Sequence, residues 1–434
     1  MGKAARLSGD AGCCMSNDLH LPQATTAGHA EGSDSYSRQT AGSIMSSWSD
    51  ASPCIEGVYV HVPFCAHRCH YCDFFTVADQ DEQRDVFVNR LLSELDAIPD
   101  WIGPQLRTIF VGGGTPTYLL PADLRRMLSA LSSRFNSENP IEFTVEANPE
   151  TITEEVAGIL AEGGVNRVSL GAQSFDQGLL STLERRHDPA RVTRSIELIH
   201  AAGISRTSLD LIFGIPGQDL IRWEADLDQA IEIGTGHLSC YGLIYEPGTP
   251  LRVRRDRGEI DPVEEDLEAA MYELTCDRLA SHGLRQYEIS NWARPGEDCQ
   301  HNLLYWQTRN WWPIGPSASG HVEGWRWRNL PRLQTYLEGD GLPYIRDVEH
   351  LDEDGQVGEW FMMGLRLMEG LRREEVDLKL ACEGGQRRRP IIERHLDQEL
   401  LVWEGDRLAL TPRGILLANI VTADLLGPAR ESNS

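Results

Sequence analysis

From residue 57 the chain repeats one pattern six times, a short β-branched or apolar run followed by a stretch with helical spacing. The runs are GVYVHV (57–62), RTIFV (107–111), IEFTVE (141–146), NRVSLG (166–171), RTSLDLIF (206–213) and GHLSCYGLI (236–244). Between them the helical periodicity is explicit. In PADLRRMLSALSSRF, Leu124, Met127, Leu128 and Leu131 form one stripe of a helix starting at Pro121. In TITEEVAGILAEGG, Thr153 is placed to cap a helix that carries acids in its first turn and a glycine stop. A strand, a helix and another strand in this order require a parallel sheet with right-handed crossovers. Six units fall short of the eight that close a full barrel. The expected fold class is therefore α/β, a partial, open-sided (β/α)6 barrel of TIM type.

In such sheets the loops after the strands converge on one mouth, where ligands bind. The unusual residues of this chain sit in those loops: PFCAHRCHYC, GGGTP, EANP, AQSF, GIPGQ and YEPGTP follow runs one to six. The first holds Cys65, Cys69 and Cys72 with His67 and His70 between them. A structural zinc site needs four ligands, usually from two C-x-x-C pairs or one pair and two histidines. No second pair exists here, although His61, His67 or His70 could complete such a site. An iron–sulfur cube usually takes four thiolates. Three would leave one iron open to an exogenous chelator.

Composition narrows the remaining possibilities. The 434 residues carry 40 Lys and Arg against 66 Asp and Glu, net −26, which argues against a nucleic-acid footprint or an anionic membrane surface. The RRR run at 387–389 reads as a solvated loop. No stretch approaches the ~18 apolar residues of a membrane span, and the N-terminus has no apolar signal core. Ten cysteines in so long a chain suit a reduced compartment, so a cytoplasmic protein is expected. Residues 1–54, rich in Ser, Gly, Ala, Asp and Thr, read as a disordered leader that contains Met15 and Met45. The barrel is assigned to 55–262, a helical and aromatic-rich extension with the motif HNLLYW to 263–344, and a small α+β domain to 345–434. In the last, Gly405 and Asp406 suit a hairpin turn.

C-x-x-x-C-x-x-C at the end of a first barrel strand resembles the signature of radical S-adenosylmethionine (SAM) enzymes. The resemblance implies that Cys65, Cys69 and Cys72 hold a 4Fe-4S cluster whose fourth iron is chelated by the methionine moiety of SAM. It also implies cofactor contacts from Gly113, Gly114 and Thr115 of GGGTP, Glu146 of VEANP, Gln173 of GAQSF, Arg185 of LERRH and Asp210 of SLDLIFGIPGQ. Tyr59 and Tyr71 match further contacts. The residue types are apt: an acid for the ammonium or sulfonium, a guanidinium for the carboxylate, and Asp or Gln for ribose hydroxyls.

Across residues 57–425 the segments VYVHVPFCAHRCHYCDFF, IFVGGGTP, DLIFGIPGQ, YGLIYEPGTP, YEISNWARPG and HNLLYW are similar to the oxygen-independent coproporphyrinogen III oxidase family. Its dehydrogenases carry a further cysteine two residues after the third and a long ordered N-terminal extension. Here that position is Phe74, which favours the heme-chaperone branch over an oxidative decarboxylase. That branch implies heme as a third cofactor. His301 would be its axial ligand, with Tyr305, Trp306, Trp311 and Trp312 as apolar surface and His187, Cys299 and His321 as weaker candidates. A packed histidine among core aromatics is the competing reading of the motif. The expected partners are heme and a heme-accepting protein of the respiratory chain, for a monomer or homodimer; the electron donor and any catalytic residue stay unassigned.

Overall fold

The computed structural model describes residues 39–48, 52–78, 80–135, 141–382 and 384–427. The six runs become strands β1 (Gly57–Val62), β2 (Thr108–Gly113), β3 (Glu142–Ala147), β4 (Arg167–Gln173), β5 (Arg206–Phe213) and β6 (His237–Gly242), paired in parallel and in chain order. Helices Arg84–Ala97, Pro121–Arg134, Glu154–Glu162, Ala190–Ala201 and Leu220–Ile233 make the crossovers. The stripe Leu124, Met127, Leu128 and Leu131 is wholly buried against the sheet. Thr153 Oγ1 accepts from the Val156 amide at 3.1 Å and Gly163 follows the end of that helix, as its sequence implied.

The parallel sheet continues past the six units on both sides. Strands β7 (Arg285–Glu288) and β8 (Asn291–Ala293) add antiparallel to the β6 edge. Strand β9 (Trp311–Ile314) pairs in parallel with β1, Gly57 opposite Trp311. Beyond β9, strands β10 (Ser319–Val322), β11 (Trp325–Asn329) and β12 (Ile345–His350) extend the sheet antiparallel, giving twelve strands with β12 and β7 at its open edges. The helical and aromatic-rich extension thus combines helices Glu265–Ser281, Gln300–Trp306 and Leu333–Glu338 with strands β7 to β11. Its tryptophans fill the layer behind β9 and β11, where Trp312 and Trp327 lie 5.5 Å apart, edge to face.

The last part of the chain has its own core, including Val357, Phe361, Val376, Leu408, Val421 and Leu425. A three-stranded sheet of β13 (Leu371–Arg372), β14 (Leu401–Glu404) and β15 (Arg407–Leu410) caps it, with Gly405 at φ 62° in the β14–β15 turn. Residue 345 does not begin this unit, because β12 pairs with β11 in the main sheet.

Residues 1–38 and 49–51 of the assigned leader lie outside the described residues. Residues 39–48, however, are folded. A short helix, Ala41–Met45, buries Ala41 and Ile44, and Gln39 O accepts from the Ile345 amide at 2.8 Å. Trp48 packs against Trp101, Trp312 and Trp327 at 5.8–6.5 Å. The surrounding Ser, Gly and Thr hid this segment, because three apolar side chains suffice to dock a chain when a tryptophan pocket awaits them.

Candidate functional site

The cysteine loop leaves β1 at Val62 and is pinched at its base. Val77 N donates to Pro63 O at 2.8 Å and Cys65 N donates to Val77 O at 3.1 Å. The loop is also tied to two distant repeats, since His70 N donates to Leu183 O after β4 and Leu251 N, after β6, donates to His70 O. Tyr71 completes this seam by packing against Leu179, Leu183, Ile212, Leu243 and Leu251.

The glycine loop is zipped onto the same strand end. Gly114 N donates to Val62 O and Thr115 N donates to Phe64 O, both at 2.8 Å. A Cβ on Gly114 would lie 2.7 Å from each of those two carbonyl oxygens, so only glycine fits there. Gly113, at φ 99°, donates its amide to Glu146 Oε2 at 3.0 Å. Thr115 Oγ1 is 3.5 Å from Cys65 Sγ, and Arg185 Nη1 reaches Cys69 Sγ at 3.7 Å. Arg185 Nη2 donates to Gly171 O at 2.6 Å, and Gln173, the last residue of the same strand, holds φ 65°. Such a backbone conformation in a non-glycine residue persists where its surroundings impose it, commonly at ligand sites. Asp210 accepts from Ser169 Oγ at 3.1 Å, close to Arg167 and Arg185, and burial raises its carboxyl above the ordinary range.

Cys65, Cys69, Cys72, Tyr71, Gly113, Gly114, Thr115, Glu146, Gln173, Arg185 and Asp210 therefore gather at one mouth. Burial pushes the Cys65 thiol up and the Cys72 thiol up to about 12, and each is raised further by the charge of Cys69. Burial thus favours the neutral form of Cys65 and Cys72 until a cation neutralises them, which is what iron does on binding. Among the described residues no three cysteine, histidine or carboxylate groups are already gathered around one point. The donor set, rather than a preformed sphere, is what fits a cluster. Arg185 Nε is buried without a hydrogen-bond partner among the described residues, an orphan suited to an incoming carboxylate.

His301 is elsewhere. It lies in helix Gln300–Trp306, immediately before β9, and β9 runs parallel to β1. The helix therefore sits at the start of β1, opposite the cysteines, and the six residues of β1 span roughly 17 Å between the two ends. The imidazole is 1% exposed, stacked on Phe110, with Nδ1 bonded to Thr108 Oγ1 at 2.7 Å and Nε2 to Tyr305 Oη at 2.8 Å. Both ring nitrogens of this residue are thus engaged by side chains of the protein. Tyr305, Trp306 and Trp311 are likewise buried, packed with Met363 and Leu367 along the seam to the C-terminal unit. Tyr59 bridges the two ends, its hydroxyl 3.2 Å from His61 Nδ1 and its ring 6.4 Å from that of His301.

The weaker candidates do not converge. Cys299 is buried with its thiol donating to Glu142, and His321 bonds Arg309 O at 2.8 Å. His187 is buried near Arg185. Sequence reasoning missed Glu142 and Arg167. Each is a polar residue inside an otherwise apolar strand, the signal that marks an inward-facing barrel position.

Burial holds His301 down to about 3 and His321 to about 4, from 6.5. Both stay neutral in the fold while the unfolded chain takes up protons, so stability is fully present above pH 6.5 and is lost as pH falls toward 4. The unfolding free energy from urea titrations should fall in that window by about 1.4 kcal/mol per pH unit for each such imidazole; an unchanged value would contradict the burial.

A family model described as the radical SAM superfamily matches residues 59–230. Heme chaperone HemW of Mycobacterium tuberculosis is 39% identical over 86% of this chain and 95% of its own length. HemW of Lactococcus lactis is 35% identical over 84% and 95%, and that of Escherichia coli 35% over 83% and 96%. Among solved structures, coproporphyrinogen III oxidase (HemN) from Escherichia coli superposes with TM-score 0.73 at 19% identity, covering 86% of this chain and 90% of that one, which establishes the shared fold. At this identity and coverage, the chain belongs to the HemW family of radical SAM proteins.

Proposed function

We propose that the chain is a heme chaperone: it binds heme, carries a 4Fe-4S cluster with SAM at the barrel mouth, and passes heme to an acceptor protein. The observation that carries this reading is the cysteine loop, in which three thiols are followed by Asp73 and an exposed Phe74 rather than a fourth cysteine, within a chain so similar to HemW over nearly its whole length. Cys65, Cys69 and Cys72 would ligate three irons, leaving the fourth to SAM. When bound, the cluster supplies the single electron that cleaves a sulfonium.

The chain's own residues have definable tasks. Glu146 fixes the Gly113 amide and with it the glycine loop, which would meet the methionine amino group. Arg185, anchored on Gly171 O, would offer its unspent Nε–H to the carboxylate. Asp210 and Gln173 would hold ribose hydroxyls, with Tyr59 and Tyr71 as further contacts. His301 serves heme only after its bonds to Thr108 and Tyr305 open. The reading extends to a cytoplasmic monomer or homodimer and a membrane-bound respiratory acceptor. Among the described residues no helix is long and apolar enough to cross a membrane.

The test is anaerobic reconstitution of the cluster followed by heme and coproporphyrinogen III offered in parallel. A stable heme complex without decarboxylation is expected; decarboxylated product without a heme complex would replace the chaperone with an oxidative decarboxylase.

A further inference from the structure

At the barrel end opposite the cysteines is a cavity of about 620 Å³, within the usual range of small-ligand sites. It is lined by the residues that precede or open β2 to β5, among them Arg107, Glu142, Asn166, Ser205 and Arg206, and by Gln300 of the HNLLYW helix. Two arginines thus line one cavity in a chain of net charge −26. Arg206 gives Nε to Glu297 and Nη2 to Glu142 and Asp298 O, while its Nη1 makes no hydrogen bond among the described residues. Arg107 spends only Nη1, on Glu56.

Glu142 joins this cavity to the motif. Its carboxylate, 3% exposed, accepts from the Gln300 amide and the His301 amide, both at 3.1 Å, and from Arg206 Nη2 at 3.0 Å. One acid therefore holds both the first turn of the helix that carries His301 and a guanidinium of the cavity.

We propose that this cavity receives the propionate edge of heme, with Arg107 and Arg206 as its ion partners, and that capture draws Arg206 from Glu142 and releases the helix that keeps His301 closed. The proposal rests on the heme-chaperone reading and deepens it. An anionic ligand is favoured because the unspent donors are guanidinium N–H groups, which bind carboxylates in paired hydrogen bonds. Entry beside Gln300 also explains how a histidine with both nitrogens engaged becomes reachable: the ligand competes for the cation that steadies its latch.

The experiment is a titration of the holoprotein with hemin and with hemin dimethyl ester, whose propionates carry no charge, followed by heme absorbance. Ser205, exposed on the cavity rim, is changed to Trp to fill the space and to Ala as a control. The parent protein should bind the ester roughly tenfold or more weaker than hemin, and Ser205→Trp should lose hemin affinity to a similar degree with Ser205→Ala unchanged. Cluster content should be equal in all three. Glu142→Gln, which removes the charge that holds Arg206, should speed hemin association. Equal affinity for hemin and its ester, or hemin binding by Ser205→Trp equal to that of Ser205→Ala, would overturn the proposal while leaving the chaperone reading intact. Failure of the parent protein to bind hemin at all would overturn both.

Discussion

Cys69→Ser should abolish the cluster. After anaerobic reconstitution the parent protein is expected to retain about four irons and four sulfides per chain, and the variant is expected to fall to background in both metal analysis and visible absorbance. Serine keeps the size of the side chain but replaces a soft thiolate with a hydroxyl that stays protonated and binds iron poorly. The loop should survive, because its backbone ties run through Pro63, Cys65, His70, Val77, Leu183 and Leu251 and need no sulfur at position 69. An unchanged far-UV spectrum would separate ligand loss from unfolding. Retention of one tightly bound zinc and no iron in the parent would instead identify a zinc site.

Gly114→Ala should damage the mouth through sterics alone. The added methyl would meet Val62 O and Phe64 O at 2.7 Å and the Pro63 carbonyl carbon at 2.9 Å, all backbone, so no side chain can swing aside. Overpacking of this kind destabilises by about 1–3 kcal/mol, more when backbone must move. Here it would also pry the cysteine loop from the glycine loop, so cluster occupancy should fall together with the urea midpoint. Gly158→Ala is the matching control. Nothing lies within 4 Å of its Cβ position in helix Glu154–Glu162, and the change should be neutral or stabilise by about 0.5–1 kcal/mol. Equal behaviour of the two variants would show that Gly114 is not tightly packed.

Much of the mouth was legible in the sequence because parallel repeats put every strand-to-loop junction at one end. Gly113, Glu146 and Gln173 lie at or next to a strand end, whereas Asp210 lies inside β5 and Arg185 follows the short helix Gln177–Thr182 beyond β4. The fate of His301 was not legible, for a topological reason. HNLLYW precedes β9, and only the pairing of β9 with β1 decides which end of the barrel the helix occupies. Four-residue strands such as β9 and β10 carry too few alternations to announce themselves, and the tryptophans of β9 read as a surface for a ring when Trp312 packs within the sheet's own core. Trp48 was hidden for the opposite reason: one large side chain in polar company has no periodicity at all.

Burial that holds the Cys72 thiol up at about 12 has a bearing on the protein before it meets iron. Oxidants and alkylating reagents attack thiolate, and at neutral pH almost none of this sulfur is in that form. Cys72 is thus chemically quiet while the site is empty, and becomes a thiolate only as the metal that needs it arrives. Slow modification of Cys72 in the apoprotein is a form of shelf life built from desolvation.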